Sequence, residues 1–219
     1  MALLKIENLC KSFGKRKLFD NFSLELDEGK IYALVGGNGT GKTTLFNIIT
    51  GFIKSDAGDI TFFNKRLNGK APYKIARLGI SRTFQDLRLI NGLTVKENIL
   101  LVLEKKMFHV ATFKEYDRVD EILERVSLLD HASCIGGELS YGQQKLLTLG
   151  CALANNPKLY LLDEPIAGID KDNLKKITKI IGKLKKDGKT VFQIEHNFDF
   201  LKATSDFIYK LDESSPKYL

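Results

Sequence analysis

An α/β fold, with a mixed sheet core, an antiparallel β patch and an inserted helical subdomain, follows from three features of this 219-residue chain. Short apolar runs cluster with tight turns near the start. Later apolar runs alternate with helical patterns, the order a parallel sheet requires. Between these parts, from about residue 85 to 155, the periodicity is helical and no convincing strand occurs.

Taken in order, the apolar runs 3–9, 22–26, 31–35, 59–63, 80–84, 159–162, 190–194 and 207–211 predict strands. Helical spacing predicts helices over 42–50, 72–78, 94–103, 117–126, 141–155 and 171–186. The expected layout is one domain over 1–219. Its core and β patch occupy 1–84 and 156–219, and the helical subdomain spans about 85–155. A chain of this length buries about 70% of the surface its unfolded form exposes.

Composition narrows the class further. With 43% hydrophobic and 28% charged residues, the chain is neither disordered nor fibrous. The longest stretch without a charged side chain, 146–157, has 12 residues, short of the roughly 20 that a membrane-spanning helix needs. The first residues read as a strand and not as a signal peptide, so a soluble chain is expected unless a partner tethers it. Cys10, Cys134 and Cys151 show no ligand spacing and are odd in number, which argues against a disulfide framework or zinc site and fits a reducing cytosol. The net charge of +7 is concentrated in 171–189, which holds eight lysines and two aspartates. Leu174, Ile177, Ile181 and Leu184 recur there at helical spacing, so the lysines read as the solvated face of a packed helix.

Gly36, Gly37, Asn38, Gly39, Thr40, Gly41, Lys42, Thr43 and Thr44 follow the apolar run 31–35 and open a predicted helix. That is the context of a phosphate-binding P-loop. Glycines let backbone N–H groups turn inward to cradle phosphate oxygens, and the helix N-terminus adds partial positive charge. Lys42 is expected to reach the β- and γ-phosphates and the Thr43 hydroxyl to bind magnesium. A second run, 159–162, delivers Asp163 and Glu164 at its C-terminal end, the crevice where α/β sheets bind ligands. Asp163 would join the magnesium shell and Glu164 would take the proton of an attacking water. Asn64-Lys65-Arg66 is followed by Leu67, so the Asn-Lys-x-Asp element of guanine readers is missing.

Leu139-Ser140-Tyr141-Gly142-Gln143-Gln144 resembles the signature motif of ATP-binding cassette (ABC) ATPases. The family's other elements have counterparts in order: Phe13 at the position of its adenine-stacking aromatic, Gln85 of its Q-loop, Asp170 of its D-loop and His196 of its switch histidine. The resemblance implies ATP and Mg2+ as ligands, with Gln85 serving the metal or the water and His196 the γ-phosphate. It further implies that Ser140, Gly142, Gln143 and Asp170 complete a site across a two-fold dimer, either homodimer or heterodimer with a similar ATPase. Integral membrane permease subunits as partners and the cytoplasmic face of the membrane as location follow from the same resemblance; no nucleic-acid partner is expected, because the charge excess of 171–189 lies away from the phosphate-binding motifs. Longer strings, among them Ile75-Ala76-Arg77-Leu78-Gly79-Ile80, Arg82-Thr83-Phe84-Gln85 and Glu164-Pro165, are similar to ATPases of branched-chain amino acid importers. ATPases of urea uptake or lipopolysaccharide export share parts of them. Each residue also has an ordinary reading: Ser140 with Gln143 as a capping box, Phe13 as core, His196 as a surface histidine. A soluble ABC ATPase acting on nucleic acid would usually carry coiled-coil insertions or tandem cassettes, which do not fit in 219 residues. Retention of Lys42, Glu164 and His196 argues against a cassette that binds ATP only as a structural switch.

Overall fold

The computed structural model describes residues 2–103, 112–211 and 216–218; residues 104–111 of the predicted helical block lie outside them. Strands β1 (Ala2–Phe13) and β2 (Arg16–Asp27) form a hairpin, and β4 (Ala57–Phe62) and β5 (Lys65–Arg66) extend it to an antiparallel sheet of order β2-β1-β4-β5. The second sheet has the order β10-β9-β3-β8-β7-β6. Its members are β3 (Ile31–Val35), β6 (Ile80–Arg82), β7 (Leu159–Asp163), β8 (Thr190–Ile194), β9 (Phe207–Leu211) and β10 (Pro216–Tyr218). All pair in parallel except β10, which is antiparallel to β9.

Both faces of the parallel sheet are covered, as the unbroken apolar runs require. Alternate side chains of one strand point to opposite faces, and β3 divides its residues accordingly. Ile31, Ala33 and Val35 join one apolar cluster. Tyr32 and Leu34 join the other, with the antiparallel sheet and α1 (Lys42–Ile49). In β7, Tyr160 and Leu162 face the first cluster, Leu159 and Leu161 the second. Every residue of β3, β7 and β8 is buried, and a fully buried Val, Leu or Ile side chain contributes about 1.5–3 kcal/mol.

The first cluster also holds the apolar stripes of α3 (Val95–Leu103), α4 (Phe113–Arg125), α5 (Tyr141–Ala154) and α6 (Lys171–Lys186). In α6 the stripe is Ile177, Ile180, Ile181 and Leu184, and Leu174 packs at its edge, so the lysines are the outer face of a packed helix. Helix α4 begins at Phe113 and not at residue 117, because Thr112 and Glu115 form a capping box ahead of the periodic run. The short α2 (Pro72–Arg77) and α7 (Phe198–Thr204) complete the set. Helix α7, capped by the Asn197 side chain on the Phe200 N–H, is not among the predicted helices.

The first half of β2 is absent from the sequence prediction because its alternation is broken. Asn8 (φ +51°) and Asn21 (φ +53°) are left-handed and sit at shifts of the β1–β2 register. Two such irregularities, one per strand, restore the pairing further along and leave Phe19 and Phe22 both buried although their spacing is odd.

Candidate functional site

The chemistry-bearing residues gather beyond the C-terminal ends of β3, β7 and β8. After Val35 the chain turns through Gly36–Gly41 into α1, whose N-cap Gly41 has φ +101°. Glycine is required there twice over, because a Cβ would lie 2.9–3.0 Å from Leu18 and Phe19 side-chain atoms. Lys42 is only 7% exposed. Its Nζ donates to the carbonyls of Gly36 (2.8 Å) and Gly37 (2.9 Å), and desolvation pushes its pKa down against the pull of Glu164 and Asp163. Thr40 Oγ1 donates to the Gly37 carbonyl and Arg16 to the Gly39 carbonyl. The loop is thus braced from inside and from the start of β2. Gly37, Asn38, Gly39 and Thr43 are exposed, Thr44 half-buried.

Thr43 Oγ1 lies 3.4 Å from Asp163 Oδ1. Asp163 ends β7, is 1% exposed and accepts from Arg82 at 3.0 Å. Arg82, at the end of the neighbouring β6, also donates to Asn47 (2.7 Å) and Thr50 (3.2 Å) of the P-loop helix and its cap. Its guanidinium stacks over the Phe84 ring. Burial raises the Asp163 pKa, and the Arg82 bond and charge oppose that rise.

Glu164 has φ +49°, a left-handed conformation that costs a non-glycine residue free energy and recurs at functional positions. Its N–H donates to the Ile194 carbonyl (3.0 Å). One carboxylate oxygen accepts from Gln85 Nε2 at 3.1 Å, and the other lies 3.5 Å from His196 Nε2. Residues from the ends of three strands therefore converge on one carboxylate. Glu195, 4% exposed, accepts from the N–H groups of Ile166 and His196 and so ties the segment after β7 to the segment after β8. Burial raises its pKa.

A second cluster lies at the N-terminus of α5. Ser140 is its N-cap: Oγ accepts from the Gln143 N–H, and Gln143 Oε1 accepts from the Ser140 N–H. Gln143 Nε2 faces His131 Nε2 at 3.0 Å. Both ends of the Gln143 side chain, assigned to ligand binding from the motif, are thus engaged within the chain. Asp170 caps α6 through the N–H groups of Asp172 and Asn173. A Cβ at Gly142 would run into the Asn173 amide, and one at Gly168 would meet the Tyr141 ring. These contacts lock the start of α5 against the start of α6. Among the described residues, Ser140, Gly142, Gln143 and Asp170 make no hydrogen bond to Lys42, Thr43, Asp163 or Glu164.

Phe13 stands apart from both clusters, half exposed at the end of β1 with Lys11 Nζ 5.2 Å from its ring centroid. The core alternative for Phe13 is thereby excluded. Arg82, Glu195 and Lys145 carry no assigned role in the sequence reading, although each touches the site. The only hint in the sequence is Arg82, a cation ending an apolar run, as Asp163 does.

Thr43, Asp163, Glu164 and Gln85 offer hard oxygen donors of the kind magnesium takes. Among the described residues no group of three or more His, Cys, Asp or Glu is placed to hold a metal by itself.

Comparison with known proteins agrees with this geometry. Residues 19–167 match the ABC transporter family. The chain is 36% identical over 228 residues to the high-affinity branched-chain amino acid transport ATP-binding protein LivG of Salmonella typhimurium, covering 98% of this chain and 89% of that protein. It superposes with a TM-score of 0.88 on the ADP conformation of an ATP-binding cassette of an ABC transporter, at 34% identity over 99% of this chain and 90% of that one. A dimeric post-hydrolysis cassette bound to ADP and Pi gives a TM-score of 0.86 at 28% identity, covering 98% and 96%. A buried phosphate-loop lysine, strand-end carboxylates and a capped α5 motif, in one fold and one order, have the same explanation as these likenesses: the chain belongs to the ABC transporter family and is an ATP-binding, ATP-hydrolysing subunit of it.

Proposed function

We propose that the chain energises uptake of branched-chain amino acids, two cassettes closing on two Mg-ATP and reopening after hydrolysis, with the work passed to separate integral membrane subunits. The cargo reading is supported by similarity to LivG along nearly the whole chain. On this reading the protein acts at the cytoplasmic face of a membrane; among the described residues no helix is long and apolar enough to cross one. The layout that goes with it is a single domain over 1–219 with a helical subdomain at about 85–155.

The observation that carries the mechanism is the placement of Glu164 between Gln85 and His196, one residue beyond the Thr43–Asp163 pair. In this reading Lys42 and the loop Gly36–Thr44 hold the β- and γ-phosphates, and Phe13 offers its exposed face to the adenine. Magnesium, held by Thr43, Asp163 and Gln85, would supply charge neutralisation on the phosphate oxygens. Glu164 accepts the proton of the attacking water, while His196 and Gln85 orient its carboxylate. Ser140 and Gly142 supply the helix-terminus groups that meet the γ-phosphate held by the opposite protomer; Gln143 assists by keeping Ser140 in its cap, and Asp170, capping α6, helps complete the site across the dimer.

For the membrane partner, a cleft of about 340 Å³ beside the Q-loop supports a docking place. Phe52, Tyr73, Ile75, Phe84 and Val102 line it where the helical block meets the sheets.

The deciding experiment is Glu164→Gln. ATP binding is expected to persist, turnover to drop by about 10²–10⁴-fold and an ATP-dependent dimer to accumulate in size-exclusion chromatography. Undiminished phosphate release would remove Glu164 from this role. Co-purification of a membrane protein, followed by uptake of leucine or isoleucine into vesicles, tests the cargo.

A further inference from the structure

Lys145 is the only charged residue of α5, and it is 5% exposed. Burying an ammonium without a counter-ion is costly, and an apolar side chain of similar length would ordinarily serve a helix interior better. No carboxylate lies within ion-pair distance of Lys145 among the described residues. Its Nζ instead donates to the backbone carbonyl of Glu164 at 3.1 Å, with the Tyr141 ring centroid 5.7 Å away.

The accepting peptide is unusual. It joins Glu164, with φ +49°, to Pro165, so it has no N–H and offers only its carbonyl as a handle. That carbonyl is gripped by Lys145 and, more loosely, by the Ala167 N–H at 3.3 Å. The Glu164 N–H on the other side is fixed to the Ile194 carbonyl. The two peptide planes flanking a residue set the direction of its Cα–Cβ bond, so a hold on both sides aims the carboxylate.

We infer that Lys145 is a positioning residue for Glu164, holding the Glu164–Pro165 peptide so that the carboxylate of the same chain points into the site. The inference rests on the proposed role of Glu164 as the base. It also gives α5 two tasks: its first turn presents Ser140 to a neighbouring cassette while its second turn steadies the base of its own.

The test compares Lys145→Met, Lys145→Arg and Glu164→Gln in the full chain, by steady-state ATP hydrolysis and thermal melting. Lys145→Met is expected to melt no lower than the parent, because it removes a buried charge at nearly constant volume. Its kcat should fall about 10- to 100-fold, the scale of a misplaced catalytic group, with KM for ATP changed less than about twofold, since the phosphate loop is untouched. Lys145→Arg, which keeps a donor, should recover most of the turnover. Parent-level turnover in Lys145→Met beside a disabled Glu164→Gln would overturn the inference while leaving Glu164 as base. Equal slowing in Lys145→Arg and Lys145→Met would overturn it as well, assigning the effect to packing. If Glu164→Gln itself turns over normally, the role of Glu164 fails first and this inference with it.

Discussion

The two clusters of motif residues are built on opposite plans. Around Glu164 the side chains come from the ends of four parallel strands and turn toward one another: Thr43 and Arg82 bond Asp163, Gln85 bonds Glu164, and His196 lies 3.5 Å from the Glu164 carboxylate. Around Ser140 each side chain serves its own helix, Ser140 and Gln143 capping α5 and Asp170 capping α6. In the proposed reading the first cluster is a half-assembled reaction centre. The second is a pair of well-finished helix ends that becomes chemically useful only when something is brought against it. A cassette that works as a dimer needs both, because a group that must dock on a neighbour has to be rigid and satisfied beforehand.

If that contrast holds, damage to the first cluster propagates through a buried network and damage to the second stays local. The largest expected effect is at Arg82. Arg82→Met leaves the Asp163 carboxylate buried without its partner, in a pair whose side chains are 4% and 1% exposed, and should cost about 3–5 kcal/mol of unfolding free energy. Urea titration of parent and variant measures it. A loss under 1 kcal/mol would mean that the first cluster is no network. Next comes Ser140→Ala, which removes one cap and should cost about 1 kcal/mol while ATP affinity of the isolated chain, measured by nucleotide fluorescence, stays at the parent value. A weakened affinity would show that the second cluster reaches the nucleotide within one chain.

The smallest effect is a control outside both. Asp206 accepts from the Ile31 N–H and pairs with Lys185. Burial opposes its ionisation, but the Lys185 and Ile31 bonds outweigh it and hold its pKa below the ordinary carboxylate value. A depressed acid stabilises fully above its unfolded pKa of about 3.9 and loses that contribution as pH falls through the folded value. Asp206→Asn should therefore cost under about 1 kcal/mol near neutrality and make the melting temperature less sensitive to pH below about 4.

The sequence carried those parts of the molecule that are local in the chain. The phosphate loop between a strand and a helix, the strand-end carboxylates and the α5 cap are each contained in fewer than ten residues, and each sits where expected. What the sequence hid is what burial and strand order decide. Arg82 meets Asp163 because β6 pairs with β7, a neighbour 81 residues away. Glu195 reads as a motif filler until its carboxylate is seen joining two segments. Lys145 is a polar residue in a helix that has polar positions to spare, and nothing in its spacing says that it faces inward. The first half of β2 escaped for the opposite reason, since a hairpin with repeated register shifts leaves no periodic trace.

The division of β3 and β7 between two apolar clusters has a consequence for how this chain tolerates change. Odd- and even-numbered positions of one strand answer to different neighbours: Ile31 and Ala33 to the helical side, Tyr32 and Leu34 to the β-patch side. Substitutions at Ile31 and Leu34, though three residues apart, fall in different apolar clusters and should combine additively. The sheet is in this sense a partition wall, so that a change of packing on the helical side leaves the side that shapes the phosphate loop undisturbed.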